Sequence, residues 1–340
     1  MPDRRQILLA ASAAALLPLA ARAADVVDAT GRHVTVPDRV ARVLPAGPPA
    51  AVLLASLAPD LILGWPGHLP PGAADWLPAA VTDLPSAPRL TGREDVTEQV
   101  RALAPDLIVD YGDTGPRYAK LAEDTQARLG VPALLLDGAL ARTPQALRQL
   151  GAVLHRETRA EELARLAEAV LATVPPPGEH PPRIVYARGA DGLDLAVAGT
   201  AVTEVFTLLG WPVLAPQSEG GGEGRAQGSA RHATVAQLAA LDPDVVLFED
   251  AAARDAVRSS PEWRSVRAVQ QGRAYVVPAT PFGWNAEPPS LNRLLGLAVL
   301  AERGRGATGL AALFQAAVFG RAPSAERLQA LREALRPVEP

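Results

Sequence analysis

Few side chains in this sequence can do covalent chemistry. Its 340 residues include no cysteine, which removes thiolate nucleophiles, Cys-ligated zinc and disulfides. Lys120 is the one lysine, and it lies in a stretch patterned as a solvated helix, a poor setting for a Schiff base. The five histidines, His33, His68, His155, His180 and His232, are scattered. Capture of a bare metal ion needs three or four imidazoles and carboxylates at one point, and only His68 and His232 fall where a cleft is expected. Asp60, Asp106 and Asp244 each stand in a Pro-Asp pair ahead of a short apolar run. There an aspartate caps a turn at the start of a strand, whereas α/β sheets bind ligands at the carboxyl end. The sequence contains no G-x-S-x-G elbow, dinucleotide fingerprint or H-E-x-x-H pair. This inventory suits non-covalent binding, and the protein is expected not to be an enzyme.

The elements that position any site follow from a repeated phrase. Leu103-Ala104-Pro105-Asp106-Leu107-Ile108-Val109 returns as Leu241-Asp242-Pro243-Asp244-Val245-Val246-Leu247, with an earlier version at Leu57-Ala58-Pro59-Asp60-Leu61-Ile62-Leu63. Each predicts a helix ended by proline and then a strand buried on both faces. Such units predict an α/β fold of two Rossmann-like lobes with mainly parallel sheets. The lobes are expected at 24–155 and 175–340. Between them 156–174 reads as one long helix, with Leu163, Leu166, Val170 and Leu171 on one face and Pro175-Pro176-Pro177-Gly178 after it. The ligand cleft is expected between the lobes. Residues 219–228, with five glycines, read as a flexible loop, either over the cleft or as a plain surface insertion.

A net charge of −4 lacks the basic footprint of a nucleic-acid binder. Residues 1–23 read as a cleavable export signal: Arg4 and Arg5, an apolar run from Ile7 to Leu19, then Ala21-Arg22-Ala23. The paired arginines fit the twin-arginine route as well as the general secretory one. No later segment offers the ~18 uninterrupted apolar residues of a membrane span. A soluble, monomeric periplasmic protein is expected, without a cofactor.

Several phrases resemble the periplasmic binding proteins of iron-siderophore, haem and vitamin B12 ABC importers. They are Asp28-Ala29-Thr30-Gly31-Arg32-His33-Val34-Thr35-Val36-Pro37, Ala198-Gly199-Thr200-Ala201-Val202-Thr203-Glu204-Val205 with Leu208-Leu209-Gly210, and Trp263-Arg264-Ser265-Val266 through Gly272-Arg273-Ala274-Tyr275-Val276-Val277-Pro278. Their order spans nearly the whole chain. The resemblance implies two α/β lobes on one rigid helix, a metal chelate in the cleft, and handover to an ABC transporter permease. An iron(III)-siderophore is the expected ligand. Cobalamin, haem, a nickel or cobalt chelate, a bare zinc or manganese ion, and an exported enzyme on the same scaffold stand as alternatives. In that family a glutamate on each lobe meets arginines of the permease. Glu98 matches on the first lobe, whereas Ala236 departs from the pattern on the second, with Glu204 or Asp242 as substitutes.

Strand ends nominate the ligand-binding residues. Trp65 and Tyr111 follow the first two repeats, Tyr186 and Arg188 follow Ile184-Val185, and Glu249 follows the third repeat. After Val276-Val277 come Phe282, Trp284 and Asn285, with Ser290 as a candidate N-cap and Arg293 facing outward or toward the cleft. Aromatic walls suit a large chelate and arginine suits an anionic one.

Overall fold

A computed structural model describes residues 23–90, 95–176, 178–217 and 230–338. The expected signal, 1–23, and the glycine-rich loop 219–228 lie outside them, except that Ala23 opens the first strand.

The first lobe starts with an antiparallel hairpin of β1 (Ala23–Val27) and β2 (His33–Pro37). Asp28 fixes its turn by accepting from the Thr30 amide at 2.9 Å and from the Arg32 guanidinium. A parallel sheet of β3 (Val43–Pro45), β6 (Leu107–Gly112) and β7 (Ala133–Asp137) follows, ordered β3-β6-β7. The short strands β4 (Trp65–Pro66) and β5 (Ser86–Ala87) pair beside it. Leu107, Val109 and Tyr111 face a core shared with the helix Pro48–Leu57, while Ile108 faces Val100 and Leu129 on the other side. Burial on both faces is why these strands read as unbroken apolar runs.

The second lobe holds β8 (Ile184–Arg188), β9 (Asp194–Ala196), β10 (Ala230–His232), β11 (Val245–Phe248) and β12 (Ala274–Val276). Their order is β10-β9-β8-β11-β12, with β8, β11 and β12 parallel and β9 and β10 antiparallel.

Two of the three repeated phrases fold alike. The helix Thr97–Leu103 ends at Ala104 (φ 42°) and Val235–Leu241 ends at Asp242 (φ 47°), both left-handed, and Pro-Asp follows. Asp106 then accepts from the amides of Ala41 and Arg42 at 2.9 Å, and Asp244 accepts from the Arg183 amide at 2.9 Å. Arg42 donates to the carbonyls of Leu103 and Ala104, as Arg183 does to those of Leu241 and Asp242. Each aspartate thus ties two strand starts together and caps no catalytic end.

The first phrase departs from the expectation of a buried strand. Pro59–Leu61 makes a 3₁₀ turn, Asp60 pairs with Arg156 at 2.8 Å, and Ile62 forms only an isolated bridge to Val43. Gly64 then passes so close to β5 that a Cβ there would sit 2.7 Å from the Pro85 carbonyl. The chain is diverted into β4 instead of extending the sheet.

The linker helix spans Glu157–Ala172, 16 residues and about 24 Å, slightly inside the expected 156–174. It packs closely on the helix Thr143–Leu154, because a Cβ on Gly151 would meet the Ala160 Cβ at 2.2 Å. Arg148 clamps the pair through Glu161 at 2.7 Å and Glu168 at 2.6 Å.

The expected second lobe, 175–340, is not one packing unit. Its late helices, Arg293–Ala301, Ala307–Phe319 and Ala325–Ala334, return to the core of the first lobe: Leu294, Phe314 and Leu331 share a cluster with Leu53, Leu147 and Leu163. Arg159 of the linker donates to the carbonyls of Ala317 and Val318, and Arg327 pairs with Asp75 at 2.7 Å. The chain then recrosses, and the Val338 amide donates to the Ala274 carbonyl.

Arg293 corrects the sequence reading most sharply. It is 1% exposed and faces neither solvent nor cleft. Its guanidinium donates to Glu204 at 2.5 Å and to the carbonyls of Gly138 at 2.6 Å and Ala201 at 3.2 Å, while Glu204 accepts from the Leu140 amide at 2.7 Å. Ser290 is no N-cap either: its hydroxyl donates to the Pro49 carbonyl at 2.8 Å, across the lobe boundary.

Removing one partner of such a buried pair leaves the other uncompensated, so Arg293→Met is expected to cost about 3 kcal/mol in urea denaturation. A second outcome concerns Asp110 on β6, whose carboxyl is held above its ordinary range by burial, only partly offset by the Tyr111 amide. A raised folded pKa gives stability that is present at low pH and lost as pH rises through that pKa. Asp110→Asn should therefore raise Tm at pH 8, and the gain should fade as the pH is lowered toward 3.

Candidate functional site

The carboxyl ends of both sheets converge on the segment 278–293. From the first lobe come Gly138, just beyond β7, and Pro49, just beyond β3, which accept from Arg293 and Ser290. The aromatic contact across the same boundary is Trp65 at β4 stacked on Phe282, centroids 5.6 Å apart and planes within 5°. Phe282 in turn tilts against Phe319 at 5.9 Å.

On the second lobe a polar network occupies the strand ends. Arg188 donates from Nε to Glu249 at 2.8 Å and from Nη2 to Glu287 at 2.5 Å. Tyr186 donates its hydroxyl to the same Glu249 at 3.0 Å. Burial and the Glu249 charge hold the Tyr186 hydroxyl well above its usual pKa, so it stays a donor. Glu287 is also raised, by desolvation and by the Glu249 charge, against the pull of Arg188. The structure thus brings together Tyr186, Arg188 and Glu249, and adds Glu287, which the sequence reading missed. Its signal was available: an acid between Ala286 and Pro288, in the run that follows a strand end.

The other nominated residues are placed differently. Trp65, Tyr111, Phe282 and Trp284 stand at or beyond strand ends and Tyr186 lies in the middle of β8, and all five are buried. The Tyr111 hydroxyl bonds with Thr143 at 3.2 Å, and Trp284 donates to the Thr280 carbonyl at 3.4 Å. Tyr186 packs on Phe206 inside the second lobe, and the other four rings fill the core that the first lobe shares with the late segment, where burying an aromatic is worth far more than leaving it wet. They do not form an open aromatic wall. Asn285 is fully buried beside Trp284, away from the Arg188 network.

Three arginines that the sequence reading passed over stand at the opposing carboxyl edge. Arg89 follows β5 and reaches the Pro66 carbonyl at 3.3 Å across Gly67. Arg117 follows β6 and lies over the Tyr118 ring, and Arg142 follows β7. All three are exposed and have no ion-pair partner among the described residues. Arg89 lies two residues beyond β5, and Arg117 and Arg142 lie five residues beyond β6 and β7, which is the signal that would have found them. His68 is exposed beyond β4, and His232 on β10 bonds Asp194 at 2.9 Å, which raises its pKa. Among the described residues no group of three His, Asp or Glu side chains could hold a metal ion.

Glu98, in the first turn of its helix, is 85% exposed and pairs with Arg101 at 2.7 Å. Ala236 occupies the matching exposed place on the second lobe. Glu204 is committed to Arg293 and cannot stand in for it, and Asp242 is paired with Arg267 at 2.6 Å.

A family model described as periplasmic binding protein matches residues 70–281. The chain belongs to this family. Solved structures agree with that assignment in fold. An ABC transporter solute-binding protein from Sulfurospirillum deleyianum superposes with a TM-score of 0.77 at 23% identity, covering 91% of this chain and 98% of its own. The molybdate-bound periplasmic binding protein of Haemophilus influenzae gives 0.64 at 13% identity, covering 88% and 99%. The ligand-free periplasmic haem-binding protein of Roseiflexus gives 0.55 at 18%, covering 79% and 99%. No curated protein sequence matches the chain. Periplasmic binding proteins of this family carry solutes to ABC transporter permeases and are not enzymes. No helix among the described residues of this binding protein is long and apolar enough to cross a membrane.

The shared carboxylate at the strand ends can be tested directly. Arg188 and Glu249 are only about a fifth exposed, at 21% and 18% of their side chains. Glu249→Gln should therefore cost about 2 kcal/mol in urea denaturation, between the worth of a surface pair and that of a buried one. Glu98→Gln, at an open pair, should leave the denaturation midpoint unchanged.

Proposed function

We propose that this periplasmic binding protein captures an anionic metal chelate, an iron(III)-siderophore, between its lobes and delivers it to an ABC transporter permease. The observation that carries this reading is the set of arginines at the carboxyl edges: Arg89, Arg117 and Arg142 without carboxylate partners on one lobe, and Arg188 on the other. Guanidinium groups suit a large, charge-delocalised anion, because they donate in a fixed fork and shed water readily. With no converging His, Asp and Glu set among the described residues, a metal reaching this cleft keeps a chelator of its own. Solved structures of the same fold include a molybdate-bound and a haem-binding periplasmic protein. Glu98 is the proposed first-lobe contact to the permease, in an asymmetric docking without a second-lobe glutamate.

Tryptophan fluorescence and native mass spectrometry with a ferric tris-catecholate, a ferric hydroxamate, haem, a corrinoid and a nickel chelate test the reading. The ferric tris-catecholate is expected to bind one-to-one and tightest, and Arg89→Ala with Arg142→Ala should weaken it by about tenfold or more. Glu98→Lys should leave that affinity intact and abolish stimulation of the reconstituted transporter. Absence of saturable binding with every ferric chelate sinks the proposal.

A further inference from the structure

A large cavity lies outside the cleft. It has a volume of about 670 Å³ and runs along one face of the second sheet, beneath the helix Arg293–Ala301. Protein interiors are close-packed, with few voids larger than a water. This one is half open to solvent, and its volume lies within the range of small-molecule sites. Its walls are apolar: Trp211, Leu247, Tyr275 and Val277 on the sheet side, Val299 and Leu300 on the helix side.

Two polar features break that apolar lining. At the inner end Asn285 is fully buried, and both its carboxamide oxygen and nitrogen lack a hydrogen-bond partner among the described residues. The backbone of Gly296 packs directly against it, since a Cβ there would come within 2.5 Å of the Asn285 oxygen. An unmet buried amide costs on the order of 1–3 kcal/mol for each unsatisfied group, so the pair of orphans marks a place where a ligand atom belongs. At the outer end the buried Nε of Arg273 is likewise unpaired. Exposed Arg303 and His180 stand at the same mouth. Asp244 is there too, but its carboxylate is already engaged by the Arg183 amide and by Arg267. The mouth therefore favours an anion. Arg273 precedes β12, while Trp284, next to Asn285, hydrogen-bonds back to Pro278. Five residue steps of extended chain separate Arg273 from Pro278, about 16 Å.

We propose that this cavity is a second ligand site, for an elongated apolar acid whose carboxylate meets Arg273 and whose distal hydroxyl or amide meets Asn285. It is independent of whatever occupies the cleft. A hydroxyl satisfies both halves of the carboxamide at once, donating to its oxygen and accepting from its nitrogen. A twelve-carbon chain spans the distance.

The protein is titrated with 12-hydroxydodecanoic acid, dodecanoic acid and 1-dodecanol. Binding is read by quenching of Trp211 and Trp284 and by calorimetry. The hydroxy acid is expected to bind one-to-one, about fivefold tighter than the plain acid and more than tenfold tighter than the alcohol. Asn285→Leu should equalise the two acids, and Arg273→Gln should equalise dodecanoic acid and 1-dodecanol. Leu300→Trp, which fills the cavity, should abolish binding while the melt stays cooperative; if that variant does not fold, Val277→Phe asks the same from the opposite wall. No saturable binding of any of the three at about 1 mM overturns the proposal. So does binding that the filling variant leaves unchanged, or a hydroxyl preference that survives Asn285→Leu.

Discussion

A guanidinium taken out of water must find a carboxylate and several carbonyls or the fold loses more than it gains. Arg293 meets that demand only because segments far apart in the chain arrive together: Glu204 and Ala201 from the second lobe, Gly138 from the first. Glu204 closes the circuit by accepting from the Leu140 amide. The lobe junction is therefore specified by polar geometry as well as by apolar area. Around it the Trp65–Phe282 stack, the Ser290–Pro49 bond and the linker helix add contacts that all favour the same relative position. Together these contacts hold the two lobes in one register.

The two lobes share a local device. A left-handed residue, a proline and an aspartate turn each of two helices into the next strand, and an arginine from the neighbouring strand start caps the helix carbonyls. Ala104 fills this position in one lobe despite the cost of a left-handed conformation for a residue with a Cβ, roughly 1–2 kcal/mol. Its retention shows how strongly the surrounding turn dictates the backbone there. The device places the strand starts on the outside of the molecule and so turns the carboxyl ends inward, toward the cleft.

Much of this was legible in the sequence. Apolar runs after Pro-Asp gave the buried strands, and leucine spacing gave the linker helix, because these patterns report one element's own burial. What could not be read was which partner each side chain would find. Tyr111 and Trp284 do sit at or beyond strand ends, but whether a ring there faces a cleft or a core depends on what the opposite lobe brings. Arg293 looked like a surface charge because the carbonyl of Gly138, 155 residues away, carries no mark in the sequence. The return of the last three helices to the first lobe is hidden for the same reason. Leu57-Ala58-Pro59-Asp60 matched the repeat in letters, yet the close approach of Gly64 to Pro85 sent the chain elsewhere.

The near-parallel stack of Trp65 on Phe282 has an optical consequence. Trp65 comes from the first lobe and Phe282 from the segment beyond β12 that packs back onto it, and Trp65 is one of five tryptophans in the chain. A stacked indole held rigidly in an asymmetric setting contributes a sharp near-ultraviolet dichroic band that vanishes when its neighbour moves away. The protein thus carries a built-in gauge of how that returning segment is seated, readable in solution without any label.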